Sequence, residues 1–174
     1  MARWNDGPMA RFLMRADGHD TKHHSIPKNH CFGCGPDNAE GMRLKFVLGQ
    51  DGKSFVCRFR LSSRYVGPPG HAHGGIIATI LDEAMGKVNK LRHVVALTRE
   101  MQVEYLRPVP LGKWLVAEGR EKYVRGREHI NVAEIRTEDG HLLARSRGKF
   151  IKIDPEKMFK KHLKSRKTGG VKSK

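Results

Sequence analysis

A single stretch of helical pattern, residues 73–90, lies among segments that alternate like strands, and this arrangement restricts the folds open to the chain. In "GHAHGGIIATILDEAMG", apolar side chains recur at the three- and four-residue spacing of one helix face. Two strand-like segments precede the helix and four follow it, with turns that contain Gly and Pro between them. Consecutive strands of this kind pair as antiparallel neighbours. The order therefore predicts an α+β fold, in which one long helix packs on an antiparallel sheet of about six strands.

The strand assignments rest on alternation and on turn residues. Two segments, "RLKFVLG" and "KSFVCRFRL", flank "QDG", which is typical of a hairpin. In the second segment alternate apolar residues share one face, namely Phe55, Cys57, Phe59 and Leu61. The four later segments are "VVALTREMQVEYL", "KWLVAEGREKYV", "REHINVAEIRT" and "HLLARSRGKFIKI". The length of 174 residues suits one domain.

The helix has two distinct faces when its residues are placed at intervals of about 100°. An apolar stripe that would pack on the sheet comprises Ile77, Ile80, Leu81, Ala84 and Val88. The opposite side comprises small or polar residues, namely Gly75, Ala78, Thr79, Asp82 and Gly86. Small side chains let a second subunit or an extended ligand approach closely, and a carboxylate in such a place is partly desolvated, which raises its pKa. The alternative is that Asp82 is an inert polar residue on a solvent-exposed face.

Two further features of the helix concern its start and its second acid. In "HGG" the chain passes from a loop into the helix, so the N–H groups of Gly74 and Gly75 lack intrahelical partners at the positive end of the dipole. Such donors suit an oxyanion or a thioester carbonyl, whereas a merely flexible helix start is the alternative. Glu83 points sideways and can pair with Lys87 four residues later, so we interpret it as a solvated neighbour of Asp82.

The net charge and the composition of the chain bear on its binding partners and on its compartment. The formal net charge is +16, and residues 157–174 carry eight lysines and arginines without an acidic residue. We interpret this segment as a solvated tail with a partly helical start; the alternative is association with a polyanion such as nucleic acid, through the tail only.

We expect a cytoplasmic protein without membrane contact. The sequence has three cysteines, and it has neither an apolar leader nor a membrane-spanning run. The predicted divisions are a polar extension over 1–30, a folded domain over 31–155 and the basic tail over 156–174.

The segment "HCFGCG" places Cys31 and Cys34 in a C-x-x-C arrangement, with His23, His24 and His30 nearby. Zinc usually takes four ligands from two spaced pairs, and the sequence has no second cysteine pair. Histidines could complete a zinc site, but we expect no metal here. A redox role is less favoured still, because no helix clearly follows the pair.

Three blocks of sequence in the same order resemble the hotdog-fold thioesterases, specifically their PaaI-like branch. The blocks are "NHCFGCGPDNAEGMRLKF", "GHAHGGIIATILDEAMG" and "TREMQVEYLRPVPLG", and the resemblance covers roughly residues 30–153. It implies a hotdog fold, in which an antiparallel sheet wraps a long central helix. It also implies hydrolysis of acyl-CoA thioesters by a homodimer or a dimer of dimers, without a metal or any cofactor, since coenzyme A is part of the substrate.

The resemblance also implies roles for individual residues. Asp82, nine positions after the histidine of the HGG motif, corresponds to the nucleophile or general base. The N–H of Gly74, together with that of Gly75, polarises the thioester carbonyl, and His73 shapes the turn. Thr98 corresponds to a residue that reaches the water or the carboxylate across the dimer.

The substrate-binding residues are less closely matched. Some relatives carry Asn or Gln six positions before the motif histidine, where this chain has Gly67, and His71 could substitute for that side chain. Phe32 and neighbouring glycines are expected to cover the acyl pocket. Arg107 could hold the phosphates of coenzyme A, although ordinary surface charge is the alternative. A hotdog module that binds acyl-CoA without turnover is the alternative function.

Overall fold

The computed structural model describes the backbone of residues 28–165 and side chains as far as residue 160. Most of the predicted N-terminal extension and the end of the basic tail lie outside the described residues. Six strands and two α-helices follow one another in the order β1 (Val47–Leu48), β2 (Ser54–Arg60), α1 (Gly74–Val88), β3 (Val95–Tyr105), β4 (Trp114–Arg125), β5 (Glu128–Thr137), β6 (Leu142–Ile153) and α2 (Pro155–Ser165). Short 3-10 helices occupy Ser63–Tyr65 and Asn89–Arg92.

The strands form one sheet in the order β1-β2-β4-β5-β6-β3, and each neighbouring pair is antiparallel. Helix α1 packs against β4 and β5 most closely and also meets β2, β3 and β6, so the sheet curves around it. The predicted α+β architecture, with a six-stranded antiparallel sheet and one long central helix, is confirmed. β1 and β3 are the outer strands of this sheet.

The hydrophobic core lies between α1 and the concave face of the sheet. The predicted alternation in β2 and just beyond it is confirmed, because the four residues assigned to one face are all buried: Phe55, Cys57, Phe59 and Leu61. The predicted stripe of α1 is also buried, and Met85 joins it. At the centre of the contact Gly119 of β4 lies directly under the helix, where a Cβ would fall 2.6 Å from the carbonyl carbon of Ala84. The helix therefore rests on bare strand backbone at this point.

The first strand is shorter than the sequence predicted. Only Val47 and Leu48 pair with β2, whereas the pattern "RLKFVLG" predicted a strand over 43–49. The preceding backbone is bonded elsewhere: the N–H of Leu44 donates to Gly33 at 2.9 Å, and Arg43 has a φ of 52° that no strand accommodates. The segment before β1 is thus tied to the loop that contains the two cysteines, and the side chain of Leu44 enters the core from there.

The predicted helical start of the basic tail is present as α2. Met158 of this helix is 53% exposed. Among the described residues, the helices are too short or too polar to cross a lipid bilayer.

Candidate active site

Asp82 lies on α1 beside β3, at the wall of a cavity of about 690 Å³. The hydroxyl of Thr98 donates a hydrogen bond of 2.7 Å to Oδ1 of Asp82. Burial raises the pKa of this carboxyl, the hydrogen bond from Thr98 opposes the shift, and the neighbouring Glu83 adds to it. Asp82 is thus half-buried, and the Thr98 hydroxyl fixes the orientation of its carboxylate.

Thr98 reaches Asp82 within the same chain, and its expected contact across a dimer stays a prediction. The contact within the chain follows from an irregularity in β3. The register with β6 shifts between Thr98 and Glu100, so Arg99 is an extra residue in the strand. Such a bulge re-aims the flanking side chains, and Thr98 lines the cavity next to the helix.

The start of α1 is fixed by a capping bond that uses one of the two predicted donors. Nδ1 of His73 accepts a hydrogen bond of 3.0 Å from the N–H of Gly75, so His73 is the N-cap. The hydroxyl of Tyr105 donates to the carbonyl of Gly74 at 3.1 Å and ties the helix start to β3. In the described part of the chain the Gly74 N–H has no hydrogen-bond partner. Of the two glycine donors, Gly74 is therefore the one available to a ligand.

Glu83 is not solvated, and the interpretation of it as a solvated neighbour is wrong. Its side chain is only 18% exposed because the loop that contains the cysteines packs over it. Sγ of Cys31 lies 3.2 Å from Oε1 of Glu83, and the predicted pair with Lys87 is present at 3.8 Å. Burial raises the pKa of Glu83. The partner that covers it comes from 52 positions earlier in the chain, so helix periodicity could not reveal this contact.

The two thiols of the C-x-x-C segment are coupled to each other and to the helix. Nζ of Lys87 lies 2.8 Å from Sγ of Cys34. The contact between the two thiols lowers the pKa of Cys31, whereas the same contact together with burial raises the pKa of Cys34. Both cysteines line the same cavity as Asp82.

The predicted substrate-binding residues are not among those that line this cavity in the single chain. Phe32 is 48% exposed. Nδ1 of His71 contacts the carbonyl of Pro69 at 2.9 Å, and Arg107 donates to the carbonyl of Leu142 at 2.8 Å. His73, Gly74 and Gly75 do not line the cavity either. The structure therefore brings together Asp82 and Thr98, and leaves the start of α1 separate from them.

Apolar residues that the sequence analysis did not assign to the site form much of the cavity wall. They come from three segments brought together by the fold, and are Leu44, Phe46, Val94, Val95, Ala96, Leu97 and Phe150. Strand alternation marks Phe150 as buried, but nothing in one sequence separates a cavity wall from a filled core.

Comparison with known proteins identifies a family model and several sequence relatives. The thioesterase superfamily model matches residues 69–144, which include the whole of α1 and β3 to β5. Acyl-coenzyme A thioesterase THEM4 of Xenopus laevis is 31% identical over 104 residues, covering 59% of this chain and 47% of its own length. THEM4 of Bos taurus is 31% identical over 121 residues, covering 68% and 50% respectively. The chain spans about half the length of these relatives.

Solved structures show the same fold. Protein RHA08564, described as a thioesterase superfamily protein, is 33% identical, with a TM-score of 0.67 and coverage of 71% of this chain and 63% of that one. The smu.793 protein of Streptococcus mutans, bound to acetyl CoA, is 20% identical with a TM-score of 0.58 over 63% of this chain and 88% of that one. The PaaI protein of E. coli is 20% identical with a TM-score of 0.55 over 58% and 73%. Residues 69–144 thus match the thioesterase superfamily model, and the domain that contains them has the hotdog fold of RHA08564 and the other solved structures.

Proposed function

We propose that this protein hydrolyses acyl-CoA thioesters to a free acid and coenzyme A, with Asp82 as the acting carboxylate. The observation that carries the proposal is the pair of Asp82 and Thr98 on the wall of a large, mostly apolar cavity. A partly desolvated carboxylate is a stronger base and nucleophile than a solvated one, and the Thr98 hydroxyl fixes its orientation. The names of the THEM4 relatives and the acetyl CoA in the smu.793 structure support the same class of substrate.

Thioester hydrolysis requires a base or nucleophile and a hydrogen-bond donor that polarises the thioester carbonyl. In one course Asp82 attacks the thioester carbon, coenzyme A leaves as a thiolate, and water hydrolyses the resulting anhydride. In the other, Asp82 takes a proton from a water molecule that attacks the same carbon. A thiolate is a good leaving group, so neither course requires a strong general acid. The N–H of Gly74, which has no partner among the described residues, is suited to stabilise the developing oxyanion.

A second copy of the chain is part of the proposal, because the two groups are too far apart on one helix. Gly74 and Asp82 are separated by eight residues, or about 12 Å along the helix axis, and cannot act on the same carbonyl. β3 pairs only with β6 and leaves its other side free among the described residues, with Leu97 and Tyr105 exposed. Antiparallel pairing of two such strands would set the Gly74 amide of one protomer near the Asp82 carboxylate of its partner.

The cavity also fits the two halves of an acyl-CoA. Its apolar wall, which includes Leu97 and Phe150, suits an acyl chain, and Lys45 and Lys90 at its border are cations of the type that bind phosphates. A hotdog module that binds acyl-CoA without hydrolysis stays as the second candidate, since the same features would serve binding.

The deciding experiment is a thiol-release assay over short, long and aromatic acyl-CoAs with wild type and Asp82→Asn. We expect the variant to lose at least about a hundredfold in kcat, while size-exclusion chromatography shows the same oligomer and circular dichroism the same fold. Ser63→Ala, on a short helix outside the cavity wall, is the matched control and should retain full activity. Undiminished hydrolysis by Asp82→Asn would refute the proposal. Binding of acyl-CoA without thiol release by the wild type would favour the second candidate.

A further inference from the structure

Three side chains of the types that bind metal ions meet beside the proposed active site, and the function described above uses none of them. Sγ of Cys31, Sγ of Cys34 and a carboxylate oxygen of Glu83 all lie within 4.8 Å of one another. We propose that these three side chains form a binding site for Zn²⁺. The expectation of no metal rested on the lack of a second cysteine pair, and the structure supplies the third ligand from α1 instead.

The loop places both thiols on one side. The N–H of Gly35 donates to the carbonyl of Cys31 at 2.9 Å, so residues 31–35 form a single helical turn. Residues three positions apart in such a turn are neighbours on one face. The loop is held in place from outside as well, because the N–H groups of Met42 and Leu44 donate to the carbonyls of Phe32 and Gly33 at 2.8 and 2.9 Å.

A glycine lets the carboxylate reach the thiols. A Cβ at Gly33 would lie 2.6 Å from Cδ of Glu83, a separation that side chains do not tolerate. The missing side chain therefore leaves the space that Glu83 occupies, between the turn and the helix. Sγ of Cys31 is already 3.2 Å from Oε1 of Glu83, which is close to the spacing of two ligands on one tetrahedral ion. The site is thus assembled by packing, with little rearrangement needed to admit a cation.

The donor set and the charges suit zinc. Two thiolates and one carboxylate are the ligand types that Zn²⁺ takes, whereas Mg²⁺ and Ca²⁺ prefer oxygen alone. With both thiols deprotonated the three ligands carry three negative charges. One Zn²⁺ and the ammonium of Lys87, whose Nζ is 2.8 Å from Sγ of Cys34, neutralise them. Lys87 would then act as an outer partner that donates a hydrogen bond to a ligating sulfur.

The site faces the cavity that Asp82 borders, because all three ligands are part of its wall. Three protein ligands leave a fourth position on the ion, which water from the cavity can fill. The cation would fasten the cysteine loop to α1 one residue beyond Asp82. Hydrolysis by Asp82 does not depend on it, so the inference stands apart from the proposed function.

The experiment measures zinc binding directly on the full-length, untagged and reduced chain after treatment with EDTA. Zn²⁺ is titrated against a chromophoric chelator, and Co²⁺ is added separately to observe the ultraviolet charge-transfer band of thiolate–cobalt bonds. We expect one equivalent of Zn²⁺ per chain, a Co²⁺ band, and the loss of both in the double variant Cys31→Ser/Cys34→Ser. Since losing an outer partner alone costs roughly 10–100-fold in metal affinity, Glu83→Gln should weaken binding at least tenfold.

Cys57→Ser is the matched control, because Cys57 is a free cysteine buried in the core and away from the cluster. It should bind one equivalent of Zn²⁺ like the wild type. Equal zinc affinity in the double variant would show that histidines elsewhere hold the metal and would overturn the proposal. A wild-type chain that shows no thiolate–cobalt band would overturn it too, even if the double variant fails to fold. A reduced chain that forms a Cys31–Cys34 disulfide on mild oxidation despite excess Zn²⁺ would have the same consequence.

Discussion

The hydrogen bond between Thr98 and Asp82 offers the sharpest test of the site. Thr98→Val keeps the shape of the side chain and removes the only described donor to the carboxylate, which lies 2.7 Å away. Hydrogen bonds to charged groups are worth about 1.5–3 kcal/mol. If this bond orients the acting carboxylate, its loss should lower kcat/KM roughly 10- to 150-fold.

The assay is steady-state thiol release with one good acyl-CoA substrate, read alongside the melting temperature. Thr98→Ser is the matched control, because serine keeps the hydroxyl and loses only a methyl group. We expect the serine variant to stay within about threefold of the wild type, since the donor remains. The reasoning fails if Thr98→Val hydrolyses as fast as the wild type, or if both variants lose activity equally.

Three further predictions concern stability. Gly119→Ala should lower the free energy of unfolding by about 3 kcal/mol and the melting temperature by roughly 6–12 °C, because its Cβ would collide with the backbone of Ala84. Gly86→Ala should instead raise the melting temperature by a few degrees, since its Cβ would lie 3.9 Å from Phe150 and alanine favours a helix by about 1 kcal/mol; a decrease would contradict the packing described for α1. Asp51 has its pKa lowered to about 2 by the N–H of Lys53 and by Arg120, so its contribution is present at neutral pH and disappears as the pH falls from about 4 to 2. Asp51→Asn should therefore melt earlier than the wild type at pH 7 and at the same temperature near pH 2, and a difference independent of pH would refute this account.

Most of the fold follows from local pattern. Period-two alternation identified the buried face of β2, and the 3.6-residue period separated the buried stripe of α1 from the side that carries Asp82. These apolar spacings predict the buried faces correctly because each strand and the helix bury one face only. The first strand is shorter than its sequence pattern predicts. The N–H of Leu44 donates a hydrogen bond to the carbonyl of Gly33 instead of to a neighbouring strand, and residue alternation does not reveal this contact.

The site was only partly predictable. Asp82 could be identified from its place among small residues. The hydrogen bond from Thr98 to Asp82 could not, because it depends on a β-bulge that residue alternation does not show. The role of Glu83 was misjudged because its covering partner, Cys31, is distant in the chain. The capping of Gly75 by His73 could not be predicted either, because nothing in the sequence distinguishes the two glycine donors.

The two outer strands differ in a way that bears on how the protein assembles. β1 has only two residues, whereas β3 has eleven, of which ten pair with β6, and leaves its other side free among the described residues. A long free edge invites strand addition, while a very short one gives an incoming strand almost no backbone to pair with. If two copies join through β3, each copy uses the same strand, and the joined sheet then ends in β1 on both sides. Association through the sheet would thus stop at two copies instead of continuing as a fibre.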